Sequence, residues 1–304
     1  MSYNMTKYNN DEWNSIRALI EERKKLLRKL HFSKKEFVKY LYKQQMNKEL
    51  NIDNPQTFTE KINAFKVYYK RDSNDYASLT DKNKVREYVK NKIGEEYLIP
   101  QISCVKKLKN SDIEKLPNRF VLKTNNGSGT NYIVKDKTKE NYNEICDYMN
   151  SFLKIKYQYI WGEYHYKEIK PKIVIDELLV DEKGNLPDDI KCFCFNNNGV
   201  KHKVLYQERV IGDERYRIMF DEDWNIIDVK SSFKKLDIDL QRPKNHKEII
   251  KVIDKLSEDF NFVRVDLFLF KNKIYFGELT FTPTAGYLKF DDNETDLLWG
   301  SWIG

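Results

Sequence analysis

Three charged residues near the C-terminus, Arg264, Asp266 and Glu278, stand in the stretch FVRVDLFLFKNKIYFGELTFTPTAG, which reads as two apolar strands joined by a turn around residues 271–273. Such a hairpin sets Asp266 and Glu278 on neighbouring strands, where both carboxylates reach one site. Two hard oxygen donors together suit magnesium, which keeps several waters and binds substrate phosphates as well. Arg264 precedes Asp266 by two residues and so projects from the same face of its strand. By itself the trio also reads as a structural salt bridge. A second stretch invites a similar partner. In FVLKTNNGSGTNYIV, residues 120–134, an apolar strand carrying Lys123 runs into a loop with almost no side-chain bulk and then resumes as a short apolar run. Glycine there lets backbone N–H groups approach an anion closely and take positive φ at little cost. That chemistry serves a phosphate, although turn chemistry alone also makes the stretch an ordinary polar hairpin.

The elements that must position these groups follow from periodicity. Between residues 12 and 31, Trp13, Ile16, Leu19, Ile20, Leu26, Leu27 and Leu30 recur at helical spacing. A second helix is expected over 33–46. NPQTFTEKINAFKVYY starts a third, with Thr57 and Glu60 at capping-box spacing. After this helical quarter the pattern changes to short β-rich runs: RFVLKT, NYIVK, PKIVIDELLV, IKCFCFNNNG, KHKVLY, RYRIMF, NFVRVDLFLF and NKIYFGELTF. Helices are expected between them over 142–155 and 246–260. Several strands are joined by connections too short for a crossover helix, so the class is α+β with much antiparallel pairing. No internal repeat or low-complexity tract interrupts the chain.

Bulk properties exclude several classes. With 304 residues, 40% hydrophobic and 33% charged, the chain is long enough for a packed core and two or three subdomains. The net charge of +7, from 54 basic and 47 acidic residues, comes without a long basic arm and does not call for nucleic acid. One local exception is ERKKLLRKLHFSKKEF, residues 22–37, a basic amphipathic run that could touch the anionic inner membrane surface peripherally, or pack its leucines on the protein and solvate its charges. No apolar run reaches the roughly 20 residues of a membrane span, and MSYNMTKYNNDEW lacks the apolar region of a secretory signal, so a cytoplasmic protein is expected. Cys104, Cys146, Cys192 and Cys194 lack paired C-x-x-C spacing and the four histidines lack a metal-ligand pattern; Cys192 and Cys194 read as reduced packing residues in a strand.

From NPQTFTEKINAF to LLWGSWI the sequence resembles the ATP-grasp superfamily, and within it the TupA-like branch of teichuronopeptide biosynthesis. TDKNKVREYV with IGEEYLIP resembles the entry element, which carries Lys82 over as a phosphate-binding lysine. RFVLKTNNGSG supplies the second, Lys123, and the glycine-rich lid over 125–129, with Asn126, Gly127, Ser128 and Gly129. PKIVIDELLVD resembles the hinge, where backbone groups of Glu177, Leu178 and Leu179 meet adenine and Asp176 or Asp189 lies near ribose. DDIKCFCFNNNG matches the branch's D-Y-K-F-x-C-F-N-G form, with Ile190 in the tyrosine's place. By the same resemblance Arg264, Lys191 and Arg209 are carried over as catalytic-centre residues, and Asp266, Glu278 and Thr280 as metal ligands. Many ATP-grasp enzymes have asparagine where this chain has Thr280, but E-L-T-F fits the branch; a threonine hydroxyl is a weaker, shorter-reaching ligand than an amide carbonyl.

The resemblance implies an ATP-grasp fold: a helical region over 1–75, then a domain over 76–304 whose two α+β lobes, about 76–180 and 181–304, clasp ATP. It implies ATP and magnesium as cofactors. The expected reaction is carboxylate–amine ligation through an acyl phosphate, on a sugar acid or amino acid in bacterial surface-polysaccharide biosynthesis. A kinase on the same scaffold, or a glycosyltransferase of the same pathway, are the alternatives. The aromatic segment KYQYIWGEYHYKEIKP, with Trp161, Glu163, Tyr164 and Tyr166, suits a sugar ring or a packed edge of the nucleotide lobe. His165 and His202 are expected to be non-catalytic.

Overall fold

The computed structural model describes residues 10–71, 73–127, 129–211, 214–229, 231, 234–235 and 240–304. Three helices come first, as the spacing predicts: α1 (Asn10–Leu30), α2 (Lys34–Met46) and α3 (Phe58–Tyr68). The expected capping box starts α3, with Thr57 Oγ1 accepting from the Glu60 N–H at 3.2 Å and the Glu60 carboxylate accepting from the Thr57 N–H at 3.1 Å. Ser33 and Glu36 make the same exchange at the start of α2. The chain divides into two compact units, Met1–Lys29 with Asp75–Pro187 and Leu30–Asn74 with Asp188–Gly304, so α1 goes with the first and α2 and α3 with the second.

The first unit continues with α4 (Tyr76–Thr80), α5 (Val85–Ile93), β1 (Gln101–Val105), α6 (Asn110–Glu114), β2 (Phe120–Thr124), β3 (Asn131–Val134), α7 (Tyr142–Phe152), α8 (Tyr157–Ile160) and β4 (Ile173–Glu177). Its antiparallel sheet has the order β1-β4-β2-β3. Alternation assigns the faces. Phe120, Leu122, Tyr132, Val134, Ile173 and Ile175 point into one core with Ile145, Met149 and Phe152 of α7 and Ile20 of α1. Each such side chain contributes about 1.5–3 kcal/mol by leaving water. Ile16 and Leu19 of α1 pack on the same core, while Arg23 lies 5.7 Å over the Trp161 ring and Lys24 lies 5.5 Å over that of Tyr159. The opposite face of the sheet carries Lys123 and Asp176.

The second unit holds β5 (Asp188–Asn197), β6 (Val200–Ile211), β7 (Glu214–Phe220), β8 (Lys234–Lys235), α9 (His246–Ser257), β9 (Phe262–Phe270), β10 (Lys273–Thr280) and α10 (Asn293–Ser301). The sheet order is β10-β9-β5-β6-β7-β8, antiparallel throughout except for the short β7–β8 pair. In β5, Ile190, Cys192 and Cys194 line one face. Asp189, Lys191, Phe193 and Phe195 line the other. There Phe193 and Phe195 join Phe58 of α3 and Trp299 of α10 in a second core. Within two residues along β5 that face therefore passes from an aromatic cluster to charge. The four cysteines are free thiols, and Cys192 and Cys194, expected as packing residues, are buried in β5. No helix among the described residues is long and apolar enough to cross a membrane.

Candidate functional site

In the second unit the charged end of the sheet face is built by strand register. Lys191 on β5 stands opposite Asp266 on β9, and Asp266 opposite Glu278 on β10; one pair further, Arg264 is opposite Thr280. This alignment depends on a bulge. The Lys271–Asn272 turn, with both φ positive as in a two-residue hairpin, starts a register that would put Gly277 opposite Asp266 and Glu278 opposite Val265. One extra residue at Gly277 restores Glu278 to the face of Asp266. A side chain there is excluded, since a Cβ would lie 2.9 Å from the Asp266 carbonyl oxygen.

Arg264 ties the acids together. Its Nε and Nη2 donate to the two oxygens of Asp266 at 2.6 and 2.7 Å, and Nη2 also donates to Glu278 Oε1 and Thr280 Oγ1, each at 3.1 Å. The Thr280 hydroxyl donates to the same Glu278 oxygen at 3.1 Å. Asp266 is 2% exposed. Burial alone would raise its pKa, but the charge and hydrogen bonds of Arg264, with Lys191 behind them, hold it down at about 2. Lys191 is itself buried, which favours its neutral form, yet Asp266 and Asp189 keep it charged with a raised pKa, and its ammonium donates to Asp189.

The next strands extend the network with residues that motif reading did not find. Glu208 on β6 lies 3.9 Å from the Lys191 ammonium and accepts from Arg217 on β7 at 2.7 Å; Lys191 and Arg217 both approach the buried Tyr206 ring. Arg209 is not brought to this group. Strand alternation turns it to the face opposite Glu208, where it pairs with Asp188 at 3.3 Å. The chain had no local signal to separate the two arginines, because the distinction is one of parity.

The first unit gathers the other expected residues. Lys123 donates to Asp176 Oδ2 at 3.0 Å, while Asp176 Oδ1 is buried with no hydrogen-bond partner. The Lys82 ammonium donates to the Gly127 carbonyl at 2.5 Å. Asn125, fully buried, holds the loop: its Nδ2 donates to Asp81 Oδ2 at 2.9 Å and to the Lys170 carbonyl at 3.1 Å, and its Oδ1 accepts from the Lys172 N–H at 2.7 Å. At the loop base the hydroxyls of Thr124 and Thr130 bond each other. Gly127 is tight there, since a Cβ would meet both hydroxyls at 2.6 Å, and Gly129 takes φ 71°. Asn126 is buried and its Oδ1 has no partner. Ser128 lies outside the described residues. Glu177 ends β4 with its N–H bonded to the Pro100 carbonyl, followed by half-buried Leu178 and buried Leu179; Asp189 belongs to the second group, on Lys191. Trp161 and Tyr166 pack against the core of the first unit, and Tyr164 and His165 are buried.

Among the described residues no three acidic, histidine or cysteine side chains gather into a ready cation cage. The donor set at Asp266, Glu278 and Thr280 nonetheless fits magnesium. Two carboxylates, one held ionised, and a hydroxyl are hard oxygen donors of the kind magnesium takes alongside retained waters.

A family model described as TupA-like ATPgrasp matches residues 60–304. No curated protein matches the sequence. Among solved structures, a D-alanine–D-alanine ligase from Helicobacter pylori is similar at 16% identity over 74% of this chain and 61% of its own, with a TM-score of 0.41. An L-amino acid ligase from Bacillus licheniformis is similar at 12% identity over 84% of this chain and 55% of its own, with a TM-score of 0.42. The chain thus spans between half and two thirds of the length of these proteins.

Proposed function

The chain belongs to the TupA-like ATP-grasp family, and from that premise we propose that it is an ATP- and magnesium-dependent ligase joining a carboxylate to an amine, with release of ADP and phosphate. The substrate class we propose is a sugar acid or amino acid of bacterial surface-polysaccharide biosynthesis. One observation carries the reading: an arginine divides its donors among two acids and a hydroxyl on one sheet face, keeping a buried aspartate ionised.

In this reading Lys82 and Lys123 neutralise the triphosphate and the N–H groups of Asn126, Gly127 and Gly129 line it. Backbone groups of Glu177, Leu178 and Leu179 meet adenine, and the partnerless oxygens of Asp176 and Asn126 accept from the nucleotide. Asp266 and Glu278, with the Thr280 hydroxyl, hold magnesium, which supplies charge neutralisation to the phosphate oxygens when bound. A substrate carboxylate oxygen attacks the γ-phosphorus, the bond to the bridging oxygen breaks, and ADP departs. The amine nitrogen then attacks the acyl carbon, phosphate leaves, and the nitrogen loses a proton. Arg264 and Lys191 face the charge that develops in both steps.

Hydroxylamine tests this directly. With ATP, magnesium and pooled uronic acids and amino acids, the expected outcome is ADP and free phosphate in equal amounts together with a hydroxamate, because a strong external nucleophile intercepts an activated acyl group. ADP with the phosphoryl group retained on the product replaces the ligase by a kinase. Turnover of a sugar nucleotide with no response to ATP replaces it by a glycosyltransferase.

A further inference from the structure

Just past β10 the backbone is strained. Thr284 (φ 49°, ψ 32°) and Ala285 (φ 51°, ψ 27°) follow one another in the left-handed region, ahead of Gly286 at φ 76°. Side chains crowd the backbone there, and such a conformation persists only where its surroundings over-determine it. The sheet holds this end on one side only, since β10 is an edge strand paired with β9.

Helix α3 grips the other side with three residues of one turn. Asn63 Nδ2 donates to the Gly286 carbonyl at 2.7 Å and to the Thr59 carbonyl at 2.8 Å, so close that a Cβ on residue 286 would lie 2.9 Å from it. Phe65 stacks on Phe281 with ring centroids 5.9 Å apart. Lys66 is fully buried, donates to Asn63 Oδ1 at 2.8 Å, and lies 4.1 Å from the centroid of the Tyr287 ring. An ammonium only donates, so Lys66 decides which end of the Asn63 amide faces Gly286. The helix is a fixed support, because the Thr59 N–H and hydroxyl donate to Asp296 of α10 at 2.9 and 2.8 Å.

A buried lysine is costly to desolvate, and packing alone does not account for it. We propose that Lys66 is a positioning residue for the magnesium acids. Through Asn63 and the strained turn it fixes the end of β10, and with it the alignment of Glu278 and Thr280 against Asp266. The proposal rests on the reading of those acids as a metal site.

The test titrates MgCl2 at fixed ATP and takes the midpoint of the rise in melting temperature, with ATP in EDTA as the metal-independent reference. Lys66→Met is expected to raise the magnesium midpoint about tenfold or more, as loss of an outer support of a metal site does, and to leave the rise with ATP in EDTA unchanged. Lys66→Arg, which keeps the charge and the donor, is expected to stay closer to the wild type. Should Lys66→Met fail to fold, Tyr287→Leu, at the half-buried end of the same contact, is expected to move the midpoint in the same direction. An unchanged midpoint in the variant that folds overturns the proposal. A wild type with no magnesium-dependent rise overturns the metal reading itself, and the proposal with it.

Discussion

Each of the two sheets presents a lysine and an aspartate on one face, but their polar groups are satisfied to different degrees. On the first sheet Lys123 reaches one oxygen of Asp176 and the other oxygen is left buried without a partner, as is Asn126 Oδ1 in the adjoining loop. On the second sheet both oxygens of Asp266 are taken by Arg264, and the same guanidinium reaches Glu278 and Thr280. A buried polar atom left unpaired costs about 1–3 kcal/mol, which a ligand that supplies the missing donor returns. The first face thus keeps two buried acceptor atoms without a donor. The second holds its own acids ionised against burial.

The comparison is most exposed to loss of the second network's centre. Arg264→Met withdraws the guanidinium from Asp266, Glu278 and Thr280 at once and is expected to cost about 3–5 kcal/mol of stability, whereas Lys123→Met withdraws an ammonium from Asp176 and is expected to cost less, about 1.5–3 kcal/mol. Urea midpoints of the two variants decide; equal losses would erase the distinction. Next in size, Glu278→Gln and Asp266→Asn are expected to keep the fold while ATP turnover falls by about 10–100-fold or more, since each exchanges an anionic ligand for a neutral amide. Steady-state ADP release measures it.

A smaller effect sharpens the reading of the first face. Mg·ATP at about 100 times its Kd should stabilise the wild type by about 2.7 kcal/mol, and Lys123→Ala is expected to lose more than half of that gain in a thermal shift at the same concentrations. Acid then probes the second face. The folded pKa of Asp266, about 2, lies below the ordinary value near 4, so its ionisation contributes stability that is full above the ordinary value and lost as pH falls toward 2. Asp266→Asn should show a flatter decline of stability over that window. The smallest change is expected of Thr280→Asn, whose amide keeps an acceptor for Arg264 and a donor for Glu278: a stability loss of no more than about 1.5 kcal/mol and a magnesium midpoint that is equal or lower, because an amide oxygen reaches further than a hydroxyl.

Much of this was legible in the chain. Period-two alternation located both strands of the Arg264–Glu278 hairpin and the apolar core strands, and capping-box spacing located the start of α3. The strand β1 left little signal because QISCV is short, mixes polar with apolar residues and is only half-buried at a sheet edge. Parity was the harder matter. LYQERV offers Arg209 to a reader of motifs, yet alternation along β6 gives the site face to Glu208, and its arginine comes from β7 as Arg217. The grip of Asn63 and Lys66 on residues more than two hundred positions away has no sequence signature, since it depends on tertiary packing alone. Gly277 did leave a trace. Ile274, Phe276, Leu279 and Phe281 are buried apolar residues spaced two, three and two apart, and the gap of three falls on the glycine.

That gap means the chemistry of β10 is written partly in counting. Upstream of Gly277 the odd-numbered positions share the face of Asp266, and downstream the even-numbered ones do. A ladder that ran through Gly277 without the bulge would keep every carboxylate, hydroxyl and guanidinium of the cluster, yet Glu278 and Thr280 would fall out of phase and turn into the apolar layer beside Val265. For this strand the place of the extra residue therefore matters more than most changes of side chain, and two sequences of the same composition can differ in whether they possess the site at all.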